Sequence, residues 1–182
     1  MADVQKPYAK YELLPKLSYN IVKELLNSST AEIIWKLLKY QTKDDWNVAD
    51  LTKAEKRNLI YDGSPDGSSF SIFFDSGMDE VLSAEKCYLR IYPYSVNPED
   101  PYKGIIDVAF EIICHNNINT LSDYTTRVDS IIASLLTSLN GVNVGGVGVL
   151  FFDAGKSRGN KVQNFNQIPY KAKVLIMSVR SG

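Results

Sequence analysis

One stretch of this chain leaves little freedom in how it can fold. From Ile105 to Cys114 the side chains alternate: Ile106, Val108, Phe110, Ile112 and Cys114 share one face, while Asp107, Ala109, Glu111 and His115 take the other. A period of two marks a strand. Ile105 and Ile113 add apolar area to the second face, which is therefore expected to be only partly wet. The period then changes. Leu121, Tyr124, Val128, Ile131, Ile132, Leu135, Leu136 and Leu139 recur at steps of three and four, with Asp123, Arg127, Asp129 and Ser130 on the far side. Asn140-Gly141 ends this helix, because both residues tolerate left-handed backbone. Val128, Ile132, Leu135 and Leu139 are expected to pack on Val108, Phe110 and Ile112.

The rest of the chain arranges itself around this pair. Residues 1–16, interrupted by Pro7 and Pro15, read as an extended, loosely held arm. Residues 17–60 are helical: Ile21 and Leu25 share one face, and Ser29 or Thr30 can cap a second helix. In that helix Ile33, Ile34, Leu37 and Leu38 form the stripe, with Trp35 to its side. Thr52 and Glu55 have capping-box spacing and open a short helix ending near Leu59-Ile60. Residues 68–182 supply the sheet and the long helix. Strands are expected at Phe70 to Phe74, Cys87 to Tyr94, Val147 to Phe152 and Tyr170 to Val179, with a loop bracketed by Pro98 and Pro101. Strands run together rather than alternating with helices. The fold class is therefore α+β: a mostly antiparallel sheet packed by one long amphipathic helix, with an N-terminal helical region, in a single domain over 1–182.

A chain of 182 residues can bury a core without metal or disulfides. Its net charge of −1 offers no global attraction for nucleic acid or an anionic membrane. No apolar run is long enough to span a bilayer, and Met1 to Pro7 lacks the apolar stretch of a signal peptide, so synthesis is expected in the cytoplasm. Cys87 and Cys114 read as ordinary buried thiols.

Three motifs invite a chemical reading. Gly155-Lys156-Ser157 resembles the end of a phosphate-binding loop, but Leu150 occupies the place of its first glycine and no helix follows. Gly145-Gly146-Val147-Gly148 lacks dinucleotide-loop spacing and reads as a flexible turn. His115, the only histidine, adjoins Cys114, yet neighbours on a strand point to opposite faces. It reads as a polar strand-end residue. With one His and two Cys at no ligand spacing, neither a metal site nor a cofactor site is expected, and no enzyme is implied.

Charge is distributed more tellingly. Residues 151–182 carry Lys156, Arg158, Lys161, Lys171, Lys173 and Arg180 against Asp153 alone. Residues 58–85 carry Asp62, Asp66, Asp75, Asp79, Glu80 and Glu85 with no Lys or Arg. Subunits meeting head to tail could set Lys171 and Lys173 of one copy against Asp75, Asp79 and Glu80 of the next. The polar stretch from Ala154 to Pro169 is long for a loop between strands and places Lys156, Arg158 and Lys161 together.

The order from Ile105 onward is a strand (Ile106 to Cys114), a long helix (Leu121 to Leu139), Asn140-Gly141, a Gly-rich link, a strand (Val149 to Phe152), a polar loop and a last strand (Tyr170 to Val179). This order resembles the tail-terminator or neck proteins of tailed bacteriophages. Leu37-Leu38-Lys39-Tyr40 and the run Asp50-Leu51-Thr52 to Leu59-Ile60 are similar to the N-terminal part of some phage neck proteins. The resemblance implies a structural virion protein made in the host cytoplasm, a homo-oligomeric ring, commonly a hexamer, with a central DNA channel. It implies other connector and tail-tube proteins as partners, no membrane, and a choice between tail terminator and another head–tail component. Lys156, Arg158 and Lys161 would then touch DNA phosphate or a neighbouring ring. The competing reading of the residues is a small cytoplasmic α+β enzyme or ligand-binding domain.

Overall fold

The alternating run is the middle of a longer strand, and that strand organises the sheet. In the computed structural model, which describes residues 11–44, 47–64, 67, 69–76, 85–100, 103–152, 158–165 and 168–181, β3 spans Lys103–His115. It pairs antiparallel with β2 (Cys87–Asp100) along one edge and with β7 (Ile168–Ser181) along the other, from Gly104↔Ser181 to His115↔Tyr170. The short β1 (Ile72–Phe73) joins β2 in parallel. The far edge of β7 is shared: β6 (Arg158–Phe165) takes its first half and β5 (Gly148–Phe152) its second, with β4 (Asn143–Val144) beyond β5. The class is α+β.

Two readings change here. The supposed loop at Pro98 belongs to β2, which reaches Asp100 because its ladder is irregular between Pro93 and Ser95 and between Pro98 and Asp100. Bulges accommodate prolines that have no N–H to donate. The polar stretch from Ala154 to Pro169 is mostly strand as well. Arg158 to Phe165 form β6 by pairing back on β7, a partnership that polar residues on their own do not announce.

Five α-helices are described: α1 Leu17–Asn27, α2 Glu32–Lys39, α3 Lys53–Arg57, α4 Asn116–Asn119 and α5 Arg127–Leu139. A 3₁₀ helix, Tyr11–Lys16, precedes α1, so the second half of the expected arm is ordered. Tyr11, Leu13 and Leu14 pack on the core there, while residues 1–10 lie outside the described set. Helices α1, α2 and α5 cover one face of the sheet. Ile21, Leu25, Trp35 and Leu38 join Val128, Ile131, Leu135 and Leu139 over Val108, Phe110, Ile112 and Met177. Ile131, not Ile132, is fully buried on α5 alongside Leu135 and Leu139, and Trp35 is buried while Ile33 is not. Burial of such side chains contributes roughly 1.5–3 kcal/mol each, which makes this layer the main source of stability.

The long helix begins later than its periodicity suggests. Asp123 Oδ1 accepts from the backbone N–H of Thr125 at 2.9 Å and from its hydroxyl at 2.7 Å, so this carboxylate competes for backbone the helix would use. Thr126 then caps α5, its Oγ1 accepting from the N–H of Asp129 at 3.2 Å. Tyr124 consequently lies outside the helix, 92% exposed, with φ of 65°. Arg127, expected on the wet side, is fully buried. It donates to the carbonyls of Leu37 (2.7 Å), Tyr40 (2.9 Å), Thr42 (2.7 Å) and Ile118 (3.0 Å). One guanidinium thus satisfies the C-terminal carbonyls of α2 and the turn that follows.

The face of the sheet away from α1, α2 and α5 is drier than expected. Asp107, Ala109, Glu111, Ile113 and His115 are all buried. Arg90 donates to Glu111 at 2.9 Å, and Asp107 accepts from Ser95 and Ser178 at 2.6 and 2.7 Å. A small aromatic cluster of Phe73, Tyr88 and Tyr170, with Ile113 between them, closes one end.

Candidate functional site

A depression lies where α1 and α3 meet the β1 edge. On α1 the core claims Leu17, Ile21 and Leu25, which leaves Tyr19, Lys23, Leu26 and Asn27 along another flank. On α3, Lys56 turns inward to an ion pair with Glu32, while Lys53 and Arg57, four apart, face out together. Ile60, Tyr61, Asp62 and Phe74 complete a groove of about 390 Å³. Its floor is apolar (Leu26, Ile60, Phe74) and its rim carries three cations against one carboxylate.

Local bonds set this groove in place. Thr52 and Glu55 form the expected capping box: Thr52 Oγ1 accepts from the N–H of Glu55 at 3.3 Å, and Glu55 Oε2 accepts from the N–H of Thr52 at 2.9 Å. Lys39 donates to Glu55 Oε1 at 2.5 Å. The lysine, then the Thr52 N–H and hydroxyl, hold the Glu55 carboxyl down at about 2. On the opposite wall Tyr61 packs edge-on against Phe70, centroids 5.4 Å apart. Asp62 accepts from the Ser64 hydroxyl at 2.6 Å and its N–H at 2.9 Å, which keeps its carboxyl below the usual range. Lys53 reaches Asn27 Oδ1 at 3.4 Å, and Lys23 lies 5.9 Å from the Tyr19 ring centre. Among the described residues Arg57 has no ion pair. The groove therefore offers a positive rim over an apolar floor. Sequence reasoning missed it; the α1 spacing 19, 23, 26, 27 and the α3 pair 53, 57 were its available signals.

The residues singled out from charge are not gathered in one place. Asp75 follows β1 and accepts from Arg90 at 3.4 Å, on the face away from the helices. Lys173 pairs with Asp129 of α5 on the helix-bearing face, and Lys171 is exposed two residues before it on β7. Asp79, Glu80 and Lys156 lie outside the described residues. Arg158 stands opposite Val174 and Lys161 opposite Ala172 on β6, with side chains outside the described set.

The other motifs have structural roles. His115 caps α4, its Nδ1 accepting from the N–H of Asn117 at 3.2 Å, and its ring meets Tyr170 edge-on at 5.3 Å. Cys114 Sγ donates to the His115 backbone carbonyl, at 3.5 Å. Cys87 and Cys114 are free, buried and opposite one another on β2 and β3. Burial, then Cys114, pushes the Cys87 thiol well above its ordinary range. Gly145 and Gly146 form the turn between β4 and β5 with φ of 52° and 77°. Among the described residues no group of His, Cys, Asp and Glu could hold a metal ion, and no helix is long and apolar enough to cross a membrane.

No curated protein matches this sequence. A family model does match it, over residues 31–179, which takes in everything from α2 to the end of the core part of β7. The chain belongs to the YomW family, and with it to the phage-associated proteins.

Proposed function

We propose that the chain is a structural virion protein, a subunit of a ring at the phage head–tail junction, acting as tail terminator or another neck component without catalysis of its own. The observation that carries this reading is the placement of acidic and basic groups on opposite faces of the sheet. Asp75 meets Arg90 beside β1, on one face of the sheet; Lys171 and Lys173 stand on β7, with β2 and β3 between, and Lys173 meets α5 on the other face. Surfaces fixed on opposite faces of one copy are free to meet between copies. Contact between two different surfaces repeats from subunit to subunit and closes into a ring when the rotation permits. Membership of a phage-associated family supports the setting.

In this reading the ring, a hexamer, is made in the host cytoplasm and incorporated in the virion between tail-tube and other connector proteins. Lys156, Arg158 and Lys161 then bring positive charge to the channel and touch DNA through phosphate only, without reading sequence. The test is imaging of assembled particles by electron cryomicroscopy. The expected density is one ring of copies around a channel at the junction. Finding the chain in particles only as a monomer or a two-fold dimer overturns the proposal.

A further inference from the structure

Two surfaces of this chain are opposite in charge and come from different segments. The first is a knob. Tyr124 is the most exposed large hydrophobic side chain described, at 92%. It is held out on left-handed backbone, a conformation costly for a residue with a Cβ and retained where the surroundings enforce it. The surroundings do enforce it: Tyr124 donates its N–H to Leu121 O at 3.1 Å, Leu121 donates to Thr125 O at 3.0 Å, and Asp123 ties down Thr125. Asp44 lies beside the knob, bonded to the Ser122 hydroxyl. Bonds to Thr125 hold the Asp123 carboxyl below its usual range, so it is ionised near neutral pH. The second surface is the groove of Lys23, Lys53 and Arg57 over Leu26, Ile60 and Phe74.

We propose that Tyr124 of one copy inserts into this groove of the next, with Asp123 and Asp44 facing Lys53 and Arg57. The assignment deepens the ring reading and rests on it. A rigid aromatic side chain is a suitable anchor because it covers much area for little lost rotational freedom, and the acids match the rim in sign. Knob and groove come from different segments and share no residue, so the contact is heterologous. In the chain they also neighbour charged residues already described. Phe74 of the groove precedes Asp75, and the helix that follows the knob carries Asp129, the partner of Lys173.

Heterologous contact makes a specific demand on mixtures. Tyr124→Ala removes the knob and keeps the groove; Arg57→Glu spoils the groove and keeps the knob. Sedimentation of the full chain over a wide concentration range is the measurement, with circular dichroism confirming that each variant, altered at an exposed site, remains folded. Wild type should self-associate, each variant alone should associate at least about tenfold more weakly, and an equimolar mixture should yield 1:1 pairs and nothing larger. Lys53→Glu should behave as Arg57→Glu does. Unchanged association of both variants overturns the proposal, as does loss of association in each without pairing in the mixture. A wild-type chain that stays monomeric at millimolar concentration overturns it too. The ring itself is judged separately, in particles, where another contact could still form it.

Discussion

The guanidinium of Arg127 donates to the carbonyl oxygen of Leu37 at 2.7 Å, across 90 residues of sequence. The same group serves Tyr40, Thr42 and Ile118, so the start of α5, the end of α2 and α4 are joined at one point. Replacing Arg127 by Leu keeps much of the volume and leaves those carbonyls without their donor. A buried acceptor left unpaired costs about 1–3 kcal/mol, and several are affected. Arg127→Leu should therefore lose at least about 3 kcal/mol, read from the denaturant midpoint at unchanged slope. Wild-type stability in that variant would show that water replaces the guanidinium at no cost.

Acid should expose the contribution of Glu55. Its carboxyl titrates at about 2 in the folded chain against an ordinary 4.5. A depressed carboxyl stabilises the fold above its ordinary value and ceases to do so as pH falls through the folded one. The stability supplied by Lys39 and the capping box should thus drain away between about pH 4.5 and 2. Glu55→Gln retains a capping residue but not the charge, so its stability should fall less steeply across that window. Thermal midpoints of both proteins from pH 5 to 2 test this; parallel curves would mean Glu55 is not the group responsible.

Changing Lys156, Arg158 and Lys161 together to Ser should leave folding intact, since the apolar core residues described lie elsewhere. Joining of heads to tails should be impaired. Infectious particles at normal yield from that triple variant would remove these residues from any role in the junction.

What could be read from the chain beforehand follows from the reach of each interaction. The capping box of Thr52 and Glu55 spans three residues, and the alternation of β3 needs only its own side chains, so both were legible. The buried role of Arg127 was not, because its carbonyl partners come from Leu37, Tyr40 and Thr42, and a charged residue beside an apolar stripe ordinarily faces water. The strand β6 was missed for a related reason: its pairing belongs to β7 rather than to its own polar sequence. The groove depends on α1, α3 and the β1 edge converging, and that convergence is a product of core packing. Opposed charges at the two regions were visible in composition, whereas the faces they occupy came only with the sheet.

The shared far edge of β7 has a bearing on how such a chain can vary. β5 and β6 lie along one line of hydrogen bonds, the first against Met177 to Arg180 and the second against Ile168 to Val174. Each segment holds its own register with β7, so the stretch between Phe152 and Arg158 is not the ruler that aligns them. Residues can be gained or lost there without sliding either ladder. Both ladders, and the scaffold they hold, would be inherited intact through such a change.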